Sequence, residues 1–130
     1  MVAVARVIDQ TSPSRAAAGA IDTQHLSRMT LGELSLQREV LALFDRQADI
    51  LLPRIRRGTP AVAAASAHTL KGSAVGIGAF KVARAAEAVE QAKNDGKEQA
   101  KDAAIAAAIY TLAAVLDEAK AEIARLLQAD

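Results

Sequence analysis

Residues 105–126 read IAAAIYTLAAVLDEAKAEIARL. Ile105, Ile109, Leu112, Leu116, Ala119, Ile123 and Leu126 follow one another at alternating steps of four and three. That spacing lines one side of an α-helix; a strand would repeat every second residue. A seam this long is unstable alone and predicts antiparallel packing in a helical bundle. The spacing predicts a helix from about Lys97 to Leu127.

Working back from that helix, Asn94-Asp95-Gly96 is a turn signal. A helix from about Ala79 to Lys93 precedes it, with Val82, Ala86 and Val89 facing inward. The helix before that starts with Thr59 as N-cap and Pro60 at the first helical position, and ends near Gly76 or Gly78. A longer helix is expected from Leu31 to Arg57, with Leu36, Val40, Leu43, Phe44, Leu51 and Ile55 as its apolar stripe. Thr30 and Glu33 fit a capping box at its start. Pro53 should kink or interrupt it. Arg54, Arg56 and Arg57 gather at its C-terminal end, where cations favour the helix dipole. Asp22 or Thr23 caps a short first helix reaching Met29. No strand alternation or tandem repeat is present. The expected fold is all-α: an antiparallel up-down-up-down four-helix bundle with a short extra N-terminal helix. Residues 1–20, broken by Gln10-Thr11-Ser12-Pro13-Ser14, read as a loosely ordered tail, and 21–130 as the bundle.

Composition fits this reading. A chain of 130 residues suggests one domain and can bury a core. It is rich in alanine and only 2% aromatic, which favours helix over sheet. The formal net charge of +1 predicts no general attraction to nucleic acid or to a membrane surface. The absence of cysteine excludes disulfides and thiolate metal sites. Ala103–Leu116, the longest apolar stretch, is shorter than the ~20 residues of a membrane span. Met1–Ile8 is a short apolar run broken by Arg6, with no basic leader. A soluble, cytoplasmic protein is expected.

The chemistry concentrates in Ala67-His68-Thr69-Leu70-Lys71-Gly72-Ser73-Ala74. On a helix, Ala63, Ala67, Leu70 and Ala74 form an apolar stripe and His68 falls opposite it. Lys71 and Gly72 sit one turn beyond the histidine. A mid-helix glycine costs roughly 1 kcal/mol against alanine, and alanine is abundant here, so Gly72 suggests a surface that must come close to the imidazole. Histidine can act as base, ligand or nucleophile near neutral pH. Metal ligation is disfavoured: Ala64, Ala65, Lys71 and Gly72 hold the neighbouring positions, and Lys71 repels a cation. Lys71 does suit an anion, such as a phosphoryl group on His68.

This stretch, followed by Ile77-Gly78-Ala79 and by Val82, Ala86, Val89 and Glu90, resembles the signature of histidine phosphotransfer (HPt) domains over about residues 22–127. The resemblance implies a phosphocarrier of two-component relays, not an enzyme with its own turnover. His68 would be the phospho-acceptor through Nε2, taking the group from a phospho-aspartate of one receiver domain and passing it to another response regulator. Lys71 would offset the phosphate charge and Gly72 would leave room for the receiver's loops. No cofactor or metal is implied on this chain; Mg²⁺ belongs to the receiver, which supplies most of the catalysis. The implied partners are response-regulator receivers and a hybrid or sensor histidine kinase, with no nucleic acid or membrane, and the protein would be a monomer.

The stretch departs from the pattern at Gly76, a third glycine that should fray the end of the histidine helix. His68–Ala74 and Glu87 also resemble the phosphorylated domain of chemotaxis-type histidine kinases, but no nucleotide-binding segment accompanies them. A non-catalytic scaffold or pseudo-HPt regulator is the other alternative, and the presence of His68 argues against it. Ala61, Ala64, Ala65, Gly72 and Val75 would form the flat centre of a partner surface, with Lys71, Lys81 and Arg84 as a charged rim. Gln47 could approach the imidazole. Ser73 reads as a packing residue and His25 as a polar residue of the short helix.

Overall fold

The structure, a computed structural model, describes residues 19–94 and 98–128. Among the described residues five helices follow in order: α1 Thr23–Met29, α2 Leu34–Arg57, α3 Pro60–Ile77, α4 Phe80–Asn94 and α5 Glu98–Gln128. Helix α2 packs on α3, α3 on α4, α4 on α5, and α5 closes the ring on α2, while α1 lies against α3. Arg38 of α2 donates to the Leu127 carbonyl, and Asp45 and Asp49 meet Lys120, so α2 and α5 run antiparallel. This is the expected all-α four-helix bundle with a short helix added at its N-terminal side.

The core is aliphatic and alanine-rich. Phe44, Ile55, Leu70, Val82, Val89, Leu112, Leu116 and Ile123 are its largest fully buried side chains. Ala67, Ala74, Ala79 and Ala86 fill the narrow contacts, which lets the helices approach closely. Among the described residues no helix is long and apolar enough to cross a membrane. Most of the expected tail, residues 1–18, lies outside the described residues, as do Asp95 and Gly96 of the expected turn. Ala20 packs partly buried against the core and Ile21 is inside it.

Two caps act as the sequence suggests. Asp22 Oδ1 accepts from the His25 amide at 3.0 Å, and Thr59 Oγ1 accepts from that of Val62 at 3.3 Å. Helix α2, however, starts three residues later than expected. Thr30 closes α1 instead of opening α2: its hydroxyl donates to the Leu26 carbonyl at 2.8 Å. Leu31 and Gly32 then turn left-handed, with φ of 55° and 75°, and Gly32 N donates to Ser27 O at 2.8 Å. Glu33 becomes the N-cap residue of α2, without a side-chain capping bond. Pro53 does not interrupt α2, which continues to Arg57.

The stripe of α2 is also rotated from expectation. Leu41, Phe44, Ala48, Leu51 and Ile55 are buried, whereas Leu36 and Leu43 are exposed on the flank.

Helix α3 holds together to its end. Gly76 lies inside it without fraying, and the helix stops at Gly78, whose φ of 82° is the left-handed C-cap conformation. Ala79 N donates to Ala74 O at 2.8 Å and Gly78 N to Val75 O at 3.2 Å, which satisfies the last carbonyls. A Cβ on Gly78 would lie 2.7 Å from the Asp22 carbonyl oxygen, so glycine is required here by conformation and by close approach.

Candidate functional site

The core stripe of α3 sets the direction of His68. Ala63, Ala67, Leu70, Ala74 and Ile77 are buried, which turns His68 outward. Its side chain is 71% exposed. The ring is nevertheless held. Nδ1 lies 3.1 Å from Glu90 Oε2 on α4. A carboxylate can only accept, so Nδ1 carries the proton and Nε2 keeps its lone pair. In the neutral ring Nε2 is therefore the unprotonated nitrogen.

Glu90 is itself anchored between burial and a cation. Its Oε1 is buried without a hydrogen-bond partner, and Lys71 Nζ stands 3.7 Å away. That separation is too long for a hydrogen bond but close enough for attraction between the charges. Lys71, one turn beyond His68 on α3, thus shares the same carboxylate as the histidine. Glu87 and Gln91 extend this polar side, with Gln91 Nε2 donating to Glu87 Oε2 at 3.4 Å.

The other side of His68 is small and open. Ala61, Ala65 and Gly72 are exposed and Ala64 is half-buried. A Cβ added to Gly72 would meet no atom within 4 Å, and the same holds for Gly76. Internal packing therefore requires neither glycine.

The end of α3 is braced by α1. His25 Nε2 donates to the Val75 carbonyl at 2.8 Å, and its ring meets Phe80 edge-on at 5.0 Å between centroids. Asp22 N donates to Gly78 O at 2.9 Å. His25 is thus a structural clamp, a larger role than its polar character suggests.

These contacts and the buried stripe place His68 on a firmly held helix. That helix carries an exposed imidazole, an ammonium beside it and the small exposed residues Ala61, Ala65 and Gly72. Residues 38–129 match the family model described as Hpt domain. The chain belongs to the Hpt domain family.

The Hpt chain is also similar to a solved structure described as histidine phosphotransferase ShpA from Caulobacter crescentus. The two are 29% identical, with a TM-score of 0.63, and the likeness covers 82% of this chain and 89% of that one. No curated protein gives a significant match.

Some expected site residues of the Hpt chain gather at His68 and others do not. Lys71 and Gly72 flank it, with Ala64 and Ala65 on the adjoining turn. Lys81 faces α5, its Nζ 3.9 Å from Glu118 Oε1, on the side of α4 away from the histidine. Arg84 is exposed on α4 six residues before Glu90, about 9 Å along the helix axis. Gln47 lines a groove with Ser73 and Gly76, while the ring's bond goes to Glu90. Glu90 is the residue whose role sequence reasoning missed. Its position just after the inward Val89 was the available signal.

Proposed function

We propose that this Hpt domain accepts a phosphoryl group on His68 from a receiver-domain phospho-aspartate and passes it to another response regulator. The observation that carries this reading is the held but exposed imidazole, with Nδ1 on Glu90 and Nε2 facing outward beside Gly72. The His68 Nε2 lone pair attacks phosphorus as the bond from phosphorus to the aspartyl oxygen breaks, and the carboxylate leaves with that bonding pair. No proton has to leave Nε2, because the ring proton already sits on Nδ1. Glu90 offsets the positive charge that develops on the ring, and Lys71 can turn from Glu90 to the phosphoryl oxygens.

The second transfer is the reverse chemistry on a different aspartate. Mg²⁺ and the acidic cluster of the receiver supply most of the electrostatic stabilisation, so this chain has no turnover of its own. The partners are receivers and a hybrid or sensor histidine kinase, met in the cytoplasm by a monomer. Incubation with a phosphorylated receiver tests the reading: acid-labile, base-stable label should move to this chain and chase onto a second receiver. Label that never reaches the chain from any receiver would overturn it.

A further inference from the structure

Phosphohistidine is labile in acid and stable in base because of its second ring nitrogen. When the bond from phosphorus to Nε2 breaks, its electron pair stays on Nε2. A ring with a proton on Nδ1 then leaves as neutral imidazole. A ring without that proton must leave as an anion, which is far slower. The group that holds a proton on Nδ1 therefore controls how readily the phosphoryl group is given up.

Nδ1 of His68 faces Glu90 Oε2 at 3.1 Å. A carboxylate only accepts, so it binds the protonated nitrogen and repels a bare lone pair. Oε1 of the same carboxylate is buried with no hydrogen-bond partner, and Lys71 Nζ stands 3.7 Å from it. Once Lys71 turns to a phosphoryl group, the Nδ1 proton is what remains to balance Glu90, so the hold tightens as phosphate arrives. Other charged neighbours do not compete. Glu87, one turn before Glu90 on α4, accepts from Gln91. His25 of α1 is bonded to the Val75 carbonyl, and Lys81 of α4 pairs with Glu118. Among the described residues no charged side chain of α2 or α5 bonds to His68 or Glu90. The imidazole is 71% exposed, so water as well as a receiver reaches a group on Nε2.

We propose that Glu90 holds the Nδ1 proton in the phosphorylated ring and so keeps the phosphohistidine ready to leave above neutral pH, which speeds donation and shortens its unaided lifetime. The proposal rests on His68 as phospho-acceptor and concerns the outgoing step. In that step a receiver carboxylate oxygen forms the new bond to phosphorus as the bond to Nε2 breaks. The bonding pair returns to Nε2, and neutral imidazole remains with its proton on Nδ1. In hydrolysis water replaces the carboxylate, and its proton ends on the released phosphate. Glu90 touches neither phosphorus nor the attacking oxygen; it is a positioning residue that acts through His68.

Phosphoramidate, a small donor that needs no receiver, loads His68 in wild type, Glu90→Gln and Glu90→Ala. Mass spectrometry then follows phosphate on His68 from about pH 5 to about pH 9, a range that spans ring protonation. Glutamine is the sharper variant, because its amide also donates to a bare Nδ1 and favours the ring that does not leave. Both variants should keep the helicity of wild type. At the alkaline end the folded wild type should lose phosphate about tenfold faster than Glu90→Gln, which equals about one pH unit in ring protonation. The rates should converge toward acid, where the ring is protonated without help, and should be equal at every pH in urea. Transfer from the loaded chain to a saturating receiver should show the same pH signature.

Equal rates across the folded series would overturn the proposal. A ratio that is the same at every pH would also overturn it, since a merely structural role gives that result. The expected pH signature without transfer to any receiver would instead overturn the phosphotransfer reading.

Discussion

Gly72→Gln separates the needs of the fold from those of the partner. A Cβ at residue 72 meets no atom within 4 Å, so a side chain there enters open space. The backbone is ordinary helix in the middle of α3, where glycine is worse than an average helix former by roughly 0.5–1 kcal/mol. Gly72→Gln should therefore stabilise the isolated domain by about 0.5 kcal/mol, and Gly72→Ala by up to about 1 kcal/mol. For a chain of this size the alanine gain corresponds to a Tm rise of about 4 °C. Transfer should move the other way. The glutamine side chain lies one turn beyond His68, where the receiver must bring phosphorus within bonding reach of Nε2. A misplacement of 1 Å at a reacting centre costs about 100-fold, so transfer should fall at least that far. Thermal melts and transfer rates on the same preparation decide the matter. A raised Tm with an unchanged transfer rate would refute the close-approach argument. A lowered Tm would show that the glycine serves the fold.

Glu90→Ala removes the acceptor that orients the ring, and a lost hydrogen bond to a charged group is worth about 1.5–3 kcal/mol, so transfer to His68 should drop roughly 10- to 100-fold. Glu90→Gln keeps an oxygen for Nδ1 and should retain most of the rate in the same assay. Lys120 joins α5 to Asp45 and Asp49 at 2.6 and 2.8 Å. Burial alone lowers its pKa, but the hydrogen bonds and charges of the two aspartates outweigh that and hold it above 10.5. Since the folded value is the higher one, the contribution is complete below 10.5 and disappears as pH rises through the folded value. Lys120→Met should cost about 1 kcal/mol at pH 7, and denaturant melts should show that difference shrinking only on the alkaline side of 10.5.

The sequence displays local features of this fold well and tertiary ones poorly. The seam of α5, the Thr59-Pro60 start and the Gly78 stop of α3 depend on neighbours in the chain, and each appears where its residues place it. Thr30 and Glu33 have the spacing of a capping box, yet the left-handed Leu31-Gly32 pair hands Thr30 to the preceding helix. In α2, Leu36 and Leu43 look like core because they are large. The positions that turn inward include Leu41 and Ala48, and alanine gives little signal of burial. His68, Lys71 and Gly72 are legible because they lie on one turn. Glu90 is 22 residues from His68, and its partner follows only from the register of α4 on α3. The groove beside Gly76 likewise needs two helices before it exists.

Mapping the phosphorylated residue tests the central claim most directly. The chain is incubated with its phosphorylated receiver, and the attached phosphate is located by mass spectrometry and by its acid lability in wild type, His25→Gln and His68→Gln. One phosphate on His68 in wild type and in His25→Gln, with none in His68→Gln, is the predicted result. Phosphate that persists in folded His68→Gln would contradict the account, because the exposed Nε2 that Glu90 leaves free would then not be the acceptor.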